Sequence, residues 1–424
     1  MSKHSETLDA ELRKLPLLFL EEQIRRKLAA NGIPSSEKIA KFLVERAQSG
    51  TDEPLVIEGE SPDLIEKIEL TFSENDLREI KDRLDSFLKC ELPEIIKASL
   101  QETASEVLSD LEKQWPEQSA WEEAIQAGFR TRLMARWGRS LTWLRILLAM
   151  SREIGSETSK RYRKSRSKQH RFTRDALIRL HARSCQVTAE IVVLLENGFA
   201  DGAMARWRTL YEISVVTLLI SEHGEDLAER YIAHQIVETK RALDGYSRAL
   251  PDLGYRAISK RRAKYTQDQY SLVIQKYGTS FGETYGWATN LLKKRKPTFS
   301  DLEAAARRSK MRPFYKLASY NVHASSKGIY YKLGDLDGAT AVAGASNAGL
   351  TEPGQNTAIS LTAISTCLVG LPPKVEEVVA MQTMALVREK AVSEFIRAGR
   401  RLKRDHNTMR VGRGRNASTR SKQA

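Results

Sequence analysis

The sequence predicts an all-α fold: an antiparallel helical bundle with an additional N-terminal helical region. Apolar residues recur at spacings of three and four along most of the chain, as in residues 64–70 and 174–196. Glycine and proline interrupt this pattern at intervals that suit helices joined by loops. Strand patterns are nearly absent, and residues 329–333 (IYYKL) are the one candidate, for a short hairpin.

Changes in composition divide the chain into four parts. We expect an N-terminal helical region at 1–155, a basic linker at 156–173, a helical bundle domain at 174–396 and a basic disordered tail at 397–424. Stop signals such as Gly224 separate the expected helices of the bundle domain, which lie at about 174–196, 200–224, 225–249, 255–276, 357–369 and 373–400. The Gly- and Ala-rich segment 334–354 is expected to be a long mobile loop over the end of the bundle that carries His323.

Tryptophans are concentrated in the N-terminal region. Four of the six occur there, at helical spacing, and this pattern is more typical of core packing than of a ligand site. We therefore expect Trp115, Trp121, Trp137 and Trp143 to be packed. Pro116 is expected to break the helical pattern, and a second interruption is expected near Gly138.

Positive charge is unevenly distributed. The net charge is +14. Residues 159–174 contain no acidic residue, and the segment after residue 396 contains one, Asp405. Blocks of this kind gain free energy when they displace counterions from a polyphosphate. We expect RNA or DNA to bind through the basic linker and tail, with a solvated tail that aids solubility as the alternative.

Several classes of site lack a pattern in this sequence. Cys90, Cys185 and Cys367 are too far apart to suggest a disulfide framework or a zinc cluster. No P-loop and no paired Glu-x-x-His motif occurs, so we expect neither a metal nor another cofactor. No apolar run approaches the roughly 20 residues that span a bilayer, which favours a cytoplasmic protein without a membrane segment. A homodimer is one option for its assembly.

Arg208 and Glu212 are one turn apart on a helix that is otherwise mostly apolar. This order of charges stabilises an isolated helix only weakly, so surface stabilisation is a poor reason for the pair. Two interpretations remain. The pair is either a structural clamp between helices, or a site where Arg208 binds an anion and Glu212 orients another group.

The segment KLASYNVHASSKG, residues 316–328, places His323 among small and hydroxyl side chains. Histidine can act as base or acid near neutral pH, and Arg208 or Lys316 could neutralise a phosphate. His323, Arg208, Glu212 and Lys316 are therefore the catalytic candidates. The substrate-binding candidates are Ser319, Tyr320, Asn321 and Ser325. Alternatively, His323 only forms a hydrogen bond to Glu212 or a serine. In both cases we expect its ring to face the bundle interior near Arg208 and Glu212.

Three motifs resemble a family of mostly bacterial proteins, domain-of-unknown-function family 5677. They are R-x-L-Y-E (Arg208 to Glu212), Y-x-x-x-S-Y-x-V-H-A-S (Tyr315 to Ser325) and TEPGQNTA, and the resemblance covers roughly residues 174–387. A bundle with a helix-borne histidine is also distantly similar to the HEPN superfamily. Many members of that superfamily are metal-independent ribonucleases of toxin and antiviral systems, with an R-x4–6-H motif. This chain has Lys316 where that motif has arginine.

Two functional hypotheses follow from the residues and the resemblance. The first is a nucleic-acid-directed effector of a stress or antiphage defence system, of the metal-independent ribonuclease kind. The second is a non-enzymatic helical interaction module in which the Arg, Glu and His side chains are structural. RNA cleavage in EDTA that depends on His323 would separate the two.

Overall fold

The computed structural model describes residues 13–31, 37–49, 70–164, 169–254, 256–338, 341–369 and 374–420. These residues form α-helices with short connections and contain no β-strand, which confirms the all-α prediction. The hairpin expected at 329–333 is wrong, because Ile329 and Tyr330 complete a short helix. Among the described helices, none is both long and apolar enough to cross a membrane.

The α-helices are numbered here in chain order. Those before the bundle domain are α1 (Leu15–Ala30), α2 (Glu37–Ser49), α3 (Glu74–Ser86) and α4 (Leu92–Lys164). Those of the bundle domain are α5 (Arg171–Glu196), α6 (Ala200–Ala233), α7 (Gln235–Leu253), α8 (Lys260–Tyr277), α9 (Thr289–Leu292), α10 (Phe299–Ala305), α11 (Arg312–Val322), α12 (Ser326–Tyr330), α13 (Thr351–Thr366) and α14 (Val375–Arg420).

The chain forms two compact units, residues 1–122 and 123–424. The composition of the sequence predicts a first region that extends further, to residue 155. The difference arises from Leu133, Trp137 and Leu144, which are fully buried in the same apolar core as α5 and α6. Burial of these large side chains joins the second part of α4 to the bundle. In the smaller unit, α1 and α2 pack around Ile24, Leu28, Ala40 and Val44.

The bundle core lies between α5, α6, α13 and α14, with the second part of α4 against it. Gly224 has a φ of 70° and ends the regular part of α6, as its position in the sequence predicts. α13 approaches α14 closely at Gly354, where a Cβ would lie 2.4 Å from the Phe395 ring. α4 and α5 meet similarly at Gly155, against the ring of His181. Small residues thus set the spacing of these helices.

Two of the tryptophan predictions are wrong. Trp137 is fully buried and Trp143 packs against the core, whereas Trp115 and Trp121 are each 59% exposed. The expected interruptions are also absent from α4, which continues through Pro116 and Gly138. Helical spacing shows which side chains share a face, but it does not show whether another element covers that face.

The expected linker and tail are largely helical. α4 extends to Lys164 with Thr158 buried, and α5 begins at Arg171. The tail expected to be disordered from residue 397 instead continues α14 to Arg420. Ala398 is buried in the bundle core and Leu402 packs against it. These two apolar contacts, four residues apart, hold the first turns of the basic segment on the bundle.

Candidate functional site

Helix α6 positions the predicted Arg208–Glu212 pair at the edge of the core. Trp207 and Tyr211 point inwards and are buried, so the residues that follow each of them, Arg208 and Glu212, lie where α6 meets α11. Arg208 Nε donates to Glu212 Oε1 over 3.1 Å. Their side chains are 25% and 36% exposed, so both charges retain contact with solvent.

The third member of this set comes from α11. The hydroxyl of the buried Tyr315 donates to Glu212 Oε1 over 2.7 Å, and the Arg208 guanidinium lies 4.9 Å from the centre of the Tyr315 ring. Burial and the hydrogen bond to Glu212 raise the pKa of Tyr315 above its usual value. Glu212 thus accepts from Arg208 and Tyr315 together, and the contact joins α6 to α11.

A second Tyr–Glu–Arg set lies beside the first. Glu303 of α10 is only 1% exposed, accepts from the Tyr211 hydroxyl over 2.9 Å and pairs with Arg312. The rings of Tyr211 and Tyr315 are 5.8 Å apart, so the two sets are in contact. Burial and the Glu303 carboxylate raise the pKa of Tyr211. This arrangement leaves the buried carboxylate with a cation and a hydroxyl donor.

Sequence reasoning missed the second set. Tyr211 belongs to the R-x-L-Y-E motif, but its ring spacing to Tyr315 depends on how α11 packs. Glu303 lies in DLEAA and resembles an ordinary surface acid, and Arg312 precedes Pro313 in a segment without a recognised pattern. Only the apolar residues around Glu303 suggest that it is buried.

The paired sets leave little room for a substrate. A cavity beside Tyr211 and Arg308 has a volume of about 10 Å³, roughly enough for one water molecule. Within the described residues, no group of three or more His, Cys, Asp or Glu side chains is placed to bind a metal ion. The geometry is that of a clamp between α6, α10 and α11.

His323 does not face the interior. It follows the last residue of α11 in an extended conformation, and its side chain is exposed. Tyr315, two turns earlier, occupies the position next to Arg208 and Glu212 that the sequence suggested for His323. The helix buries Tyr315 and Ala318, which places Lys316 and Tyr320 towards another face. The catalytic candidates are therefore divided between the clamp and the surface.

The exposed candidates belong to a larger surface formed by α11, α12 and the residue pair after α12. We call it the aromatic–basic surface. Its members are basic or aromatic and are exposed or half-buried: Lys316, Tyr320, His323, Lys327, Tyr330, Tyr331 and Lys332. Tyr330 is 85% exposed. No Asp or Glu occurs between residues 316 and 332, so the segment has a uniform positive sign.

The remaining substrate-binding candidates are Ser319, Ser325 and Asn321, which lie on α11 or at the start of α12. Ser319 donates its hydroxyl to the Tyr315 carbonyl, and the Ser325 hydroxyl accepts from the Gly328 amide, which caps α12. Gly328 is buried. It lies so close to α11 that a Cβ at this position would be 2.1 Å from the Tyr320 carbonyl oxygen. α12 therefore packs directly on the backbone of α11. Asn321 is half-buried on the same turn of α11 as Tyr320.

The segment after α12 is anchored by hydrogen bonds. The Leu333 amide donates to Asp201, the Ser346 amide donates to the Gly198 carbonyl, and Trp137 Nε1 donates to Asn347. Helix α13 then begins at Thr351, earlier than the expected residue 357. Residues 333 and 346–347 are thus fixed to α6, to the connection between α5 and α6, and to α4.

The basic part of α14 lies next to this segment. His406 Nε2 is 2.8 Å from Asp337 Oδ1, in the connection that follows the aromatic–basic surface. Arg400, Arg401, Lys403 and Arg404 are exposed on α14. Asp405 is paired with Arg136, so its charge is already partnered. This stretch presents a row of cations on a rigid helix.

A comparison with known families finds a match for the region that contains both the clamp and the aromatic–basic surface. Residues 174–340 match the model of a family of unknown function, DUF5677. We refer to the matched residues as the DUF5677 region. The match confirms the predicted resemblance but ends before α13, short of the expected end near residue 387. No curated protein and no solved structure matches the chain. Similarity to the HEPN superfamily stays a prediction.

The clamp in the DUF5677 region predicts different effects for two substitutions of Glu212. Glu212→Gln keeps an acceptor for Tyr315 and Arg208 and should change the free energy of unfolding by less than about 1 kcal/mol. Glu212→Leu removes the acceptor and should cost about 1–2 kcal/mol, since the solvent contact of Arg208 reduces the penalty of a stranded cation. Urea denaturation of both variants measures the difference. An equal free energy of unfolding for Glu212→Leu and the wild type would show that Glu212 does not stabilise the contact between α6 and α11.

Proposed function

We propose that the protein binds single-stranded nucleic acid on the aromatic–basic surface. The observation that carries the proposal is the exposure of Tyr330, Tyr331 and His323 among lysines, in a segment without acids. The ring of Tyr330 is 85% exposed, so it buries little apolar area in the folded chain. Bound bases would give these rings a partner.

The surface suits unpaired bases better than a duplex. Stacking of one base on an aromatic side chain contributes about 1–3 kcal/mol and tolerates any base, since every base has a π-face. A duplex keeps its bases stacked on each other and presents mainly phosphates. Lys327 Nζ lies over one face of the Tyr320 ring, 5.1 Å from its centre, so a cation and an aromatic ring are in contact at this position. Such a pair can contact a phosphate and a base of the same nucleotide.

Helix α14 would extend the binding site along the backbone of the ligand. Its exposed cations Arg400, Arg401, Lys403 and Arg404 would neutralise phosphates of the bound strand. The contact between His406 and Asp337 places this row beside the segment that follows Lys332. The basic tail thus keeps the role expected from the sequence, but as a helix.

Binding is a better-supported activity than cleavage. Metal-independent cleavage of RNA needs both a base and an acid at the reacting phosphate. His323 is the imidazole of the aromatic–basic surface, and Lys316, two turns away on α11, would serve as the phosphate clamp. Arg208 and Glu212 already satisfy each other and Tyr315, which supports a structural role for them. Ribonuclease action in a defence system is therefore a separate proposal.

The binding proposal is tested with a fluorescently labelled single-stranded RNA and the full chain. We expect the double substitution Tyr330→Ala and Tyr331→Ala to weaken binding by at least about tenfold, since it removes two stacking partners. Trp121→Ala is the matched control, because it removes an exposed ring from an acidic stretch. Fluorescence anisotropy in EDTA measures affinity. Unchanged affinity of the double variant would refute the proposal.

Two further measurements separate the roles of the cations and of His323. Replacement of Arg400, Arg401, Lys403 and Arg404 by Gln should reduce the slope of log affinity against log salt, by about 0.7 for each phosphate that the variant no longer neutralises. An unchanged slope would exclude α14 from the site. Gel analysis of the same RNA in EDTA tests cleavage: products that disappear in His323→Ala would establish the ribonuclease, and intact RNA would leave binding alone.

A further inference from the structure

The first part of α4 has no packed face among the described residues. No residue from 92 to 122 is buried, although the stretch contains several large apolar side chains. Leu100, Leu111 and Trp121 are 65%, 61% and 59% exposed. Isolated helices are marginal in water, and natural helices gain most of their stability from a packed apolar face. Apolar exposure on this scale marks an interaction site.

Eight large apolar side chains of this stretch are exposed, and five of them share one face of the helix. At 100° per residue, these five fall within about 80° of each other around the helix axis, whereas Ile95, Leu108 and Trp115 lie outside this face. We call this face the α4 seam, and it consists of Ile96, Leu100, Val107, Leu111 and Trp121. It extends over about 37 Å at 1.5 Å per residue. A second helix can lie along a face of this length and width.

The charges beside the α4 seam define the partner. Residues 92–122 contain seven acids and two lysines, a net charge of −5, although the whole chain carries +14. Glu102, Glu106 and Asp110 follow one another at four-residue spacing along one edge of the seam, and Glu117 continues the row. Lys113, the one base on this edge, is 3.6 Å from Asp110 and already paired.

A second copy of this helix fits the seam poorly. An antiparallel copy would place the row of Glu102, Glu106 and Asp110 against the same row of its partner. A parallel copy would place it against the other edge, which carries Glu94, Glu112 and Glu122 besides Lys97. Like charges in these positions oppose pairing. The complementary edges belong to a different, basic helix.

We propose that the α4 seam is the docking surface for an amphipathic helix of another protein, whose apolar stripe is flanked by lysine and arginine. The apolar stripe of that helix covers Leu100, Val107 and Leu111, and its cations lie along the glutamate row. Apolar burial supplies the affinity, and the charges select the partner. This docking proposal does not rest on nucleic-acid binding, because the α4 seam shares no residue with the aromatic–basic surface or with α14.

The test uses the full chain and two synthetic peptides of about four heptads. Both have leucine at positions a and d, and they differ only at e and g, which are lysine in one and glutamate in the other. Anisotropy of the labelled peptides measures binding at low and moderate salt. We expect the lysine peptide to bind at least about tenfold more tightly than the glutamate peptide, with an advantage that shrinks as salt rises.

Matched variants locate the contact. Val107→Glu with Leu111→Glu places charge in the seam and should abolish binding without a change in the melting temperature, because both residues are exposed. Ser105→Glu adds the same kind of charge on the opposite face and should leave binding intact. The proposal would be overturned if both peptides bound with equal affinity, or if the seam variant and Ser105→Glu lost peptide binding to the same extent. So would a homodimer in sedimentation velocity that the seam variant dissociates.

Discussion

Trp207→Ala is expected to lower the free energy of unfolding by about 3–5 kcal/mol, the usual cost of truncating a large aromatic side chain in a core. Trp207 is fully buried, stacks on Tyr211 at a centroid distance of 5.2 Å and donates its indole N–H to Ser360. The substitution removes apolar burial, leaves a cavity and takes away the donor that reaches α13.

Trp121→Ala is the matched control for this prediction. The ring of Trp121 is 59% exposed, so its removal should change stability by no more than about 0.5 kcal/mol. Urea denaturation followed by far-UV circular dichroism measures both variants. Because the chain has two compact units, the transition of the larger unit must be fitted separately. Comparable losses from the two substitutions would contradict the assigned packing.

The second large effect is expected from His181 as the pH falls. His181 is 3% exposed, and burial lowers its pKa from 6.5 to about 4. Between these values the unfolded chain binds a proton that the folded chain does not, so the contribution is fully present above pH 6.5 and is lost towards pH 4. The loss should reach about 2–3 kcal/mol at pH 4.5.

Two variants isolate this titration from that of the carboxylates. His181→Gln should flatten the decrease in unfolding free energy between pH 7 and 4.5, whatever its stability at pH 7. Ser365→Ala removes the hydroxyl that lies 3.2 Å from His181 Nε2 but keeps the ring buried, so it should retain the wild-type decrease. Equal pH profiles for His181→Gln and the wild type would show that the ring is hydrated.

Periodicity predicted the helices of the bundle well where a buried face is continuous. α5 ends at Glu196 as expected, and Gly224 interrupts α6 where the sequence places a stop. The structure differs from the expected boundary at 155 and from the expected disordered tail for one reason. Helical patterns are local, whereas the burial of Leu133 or Ala398 depends on helices far away in the chain.

The candidate site was predicted in part. The one-turn spacing of Arg208 and Glu212 indicated their contact, because the geometry of a single helix determines it. Tyr315 is 103 residues from Glu212, and no local rule assigns the two to each other. For His323 the residue type drew attention, but its direction depends on where α11 ends and on which face of α11 is buried.

Gly328 determines which residues of the aromatic–basic surface can differ between related sequences. The contact that sets the distance between α11 and α12 is made by backbone atoms, since Gly328 lies against the Tyr320 carbonyl. The spacing of the two helices therefore does not depend on the exposed rings of Tyr330 and Tyr331. Both tyrosines can be exchanged for other residues while α11 and α12 keep their distance. The preference of this surface for its proposed ligand can then change one residue at a time, whereas glycine is required at 328.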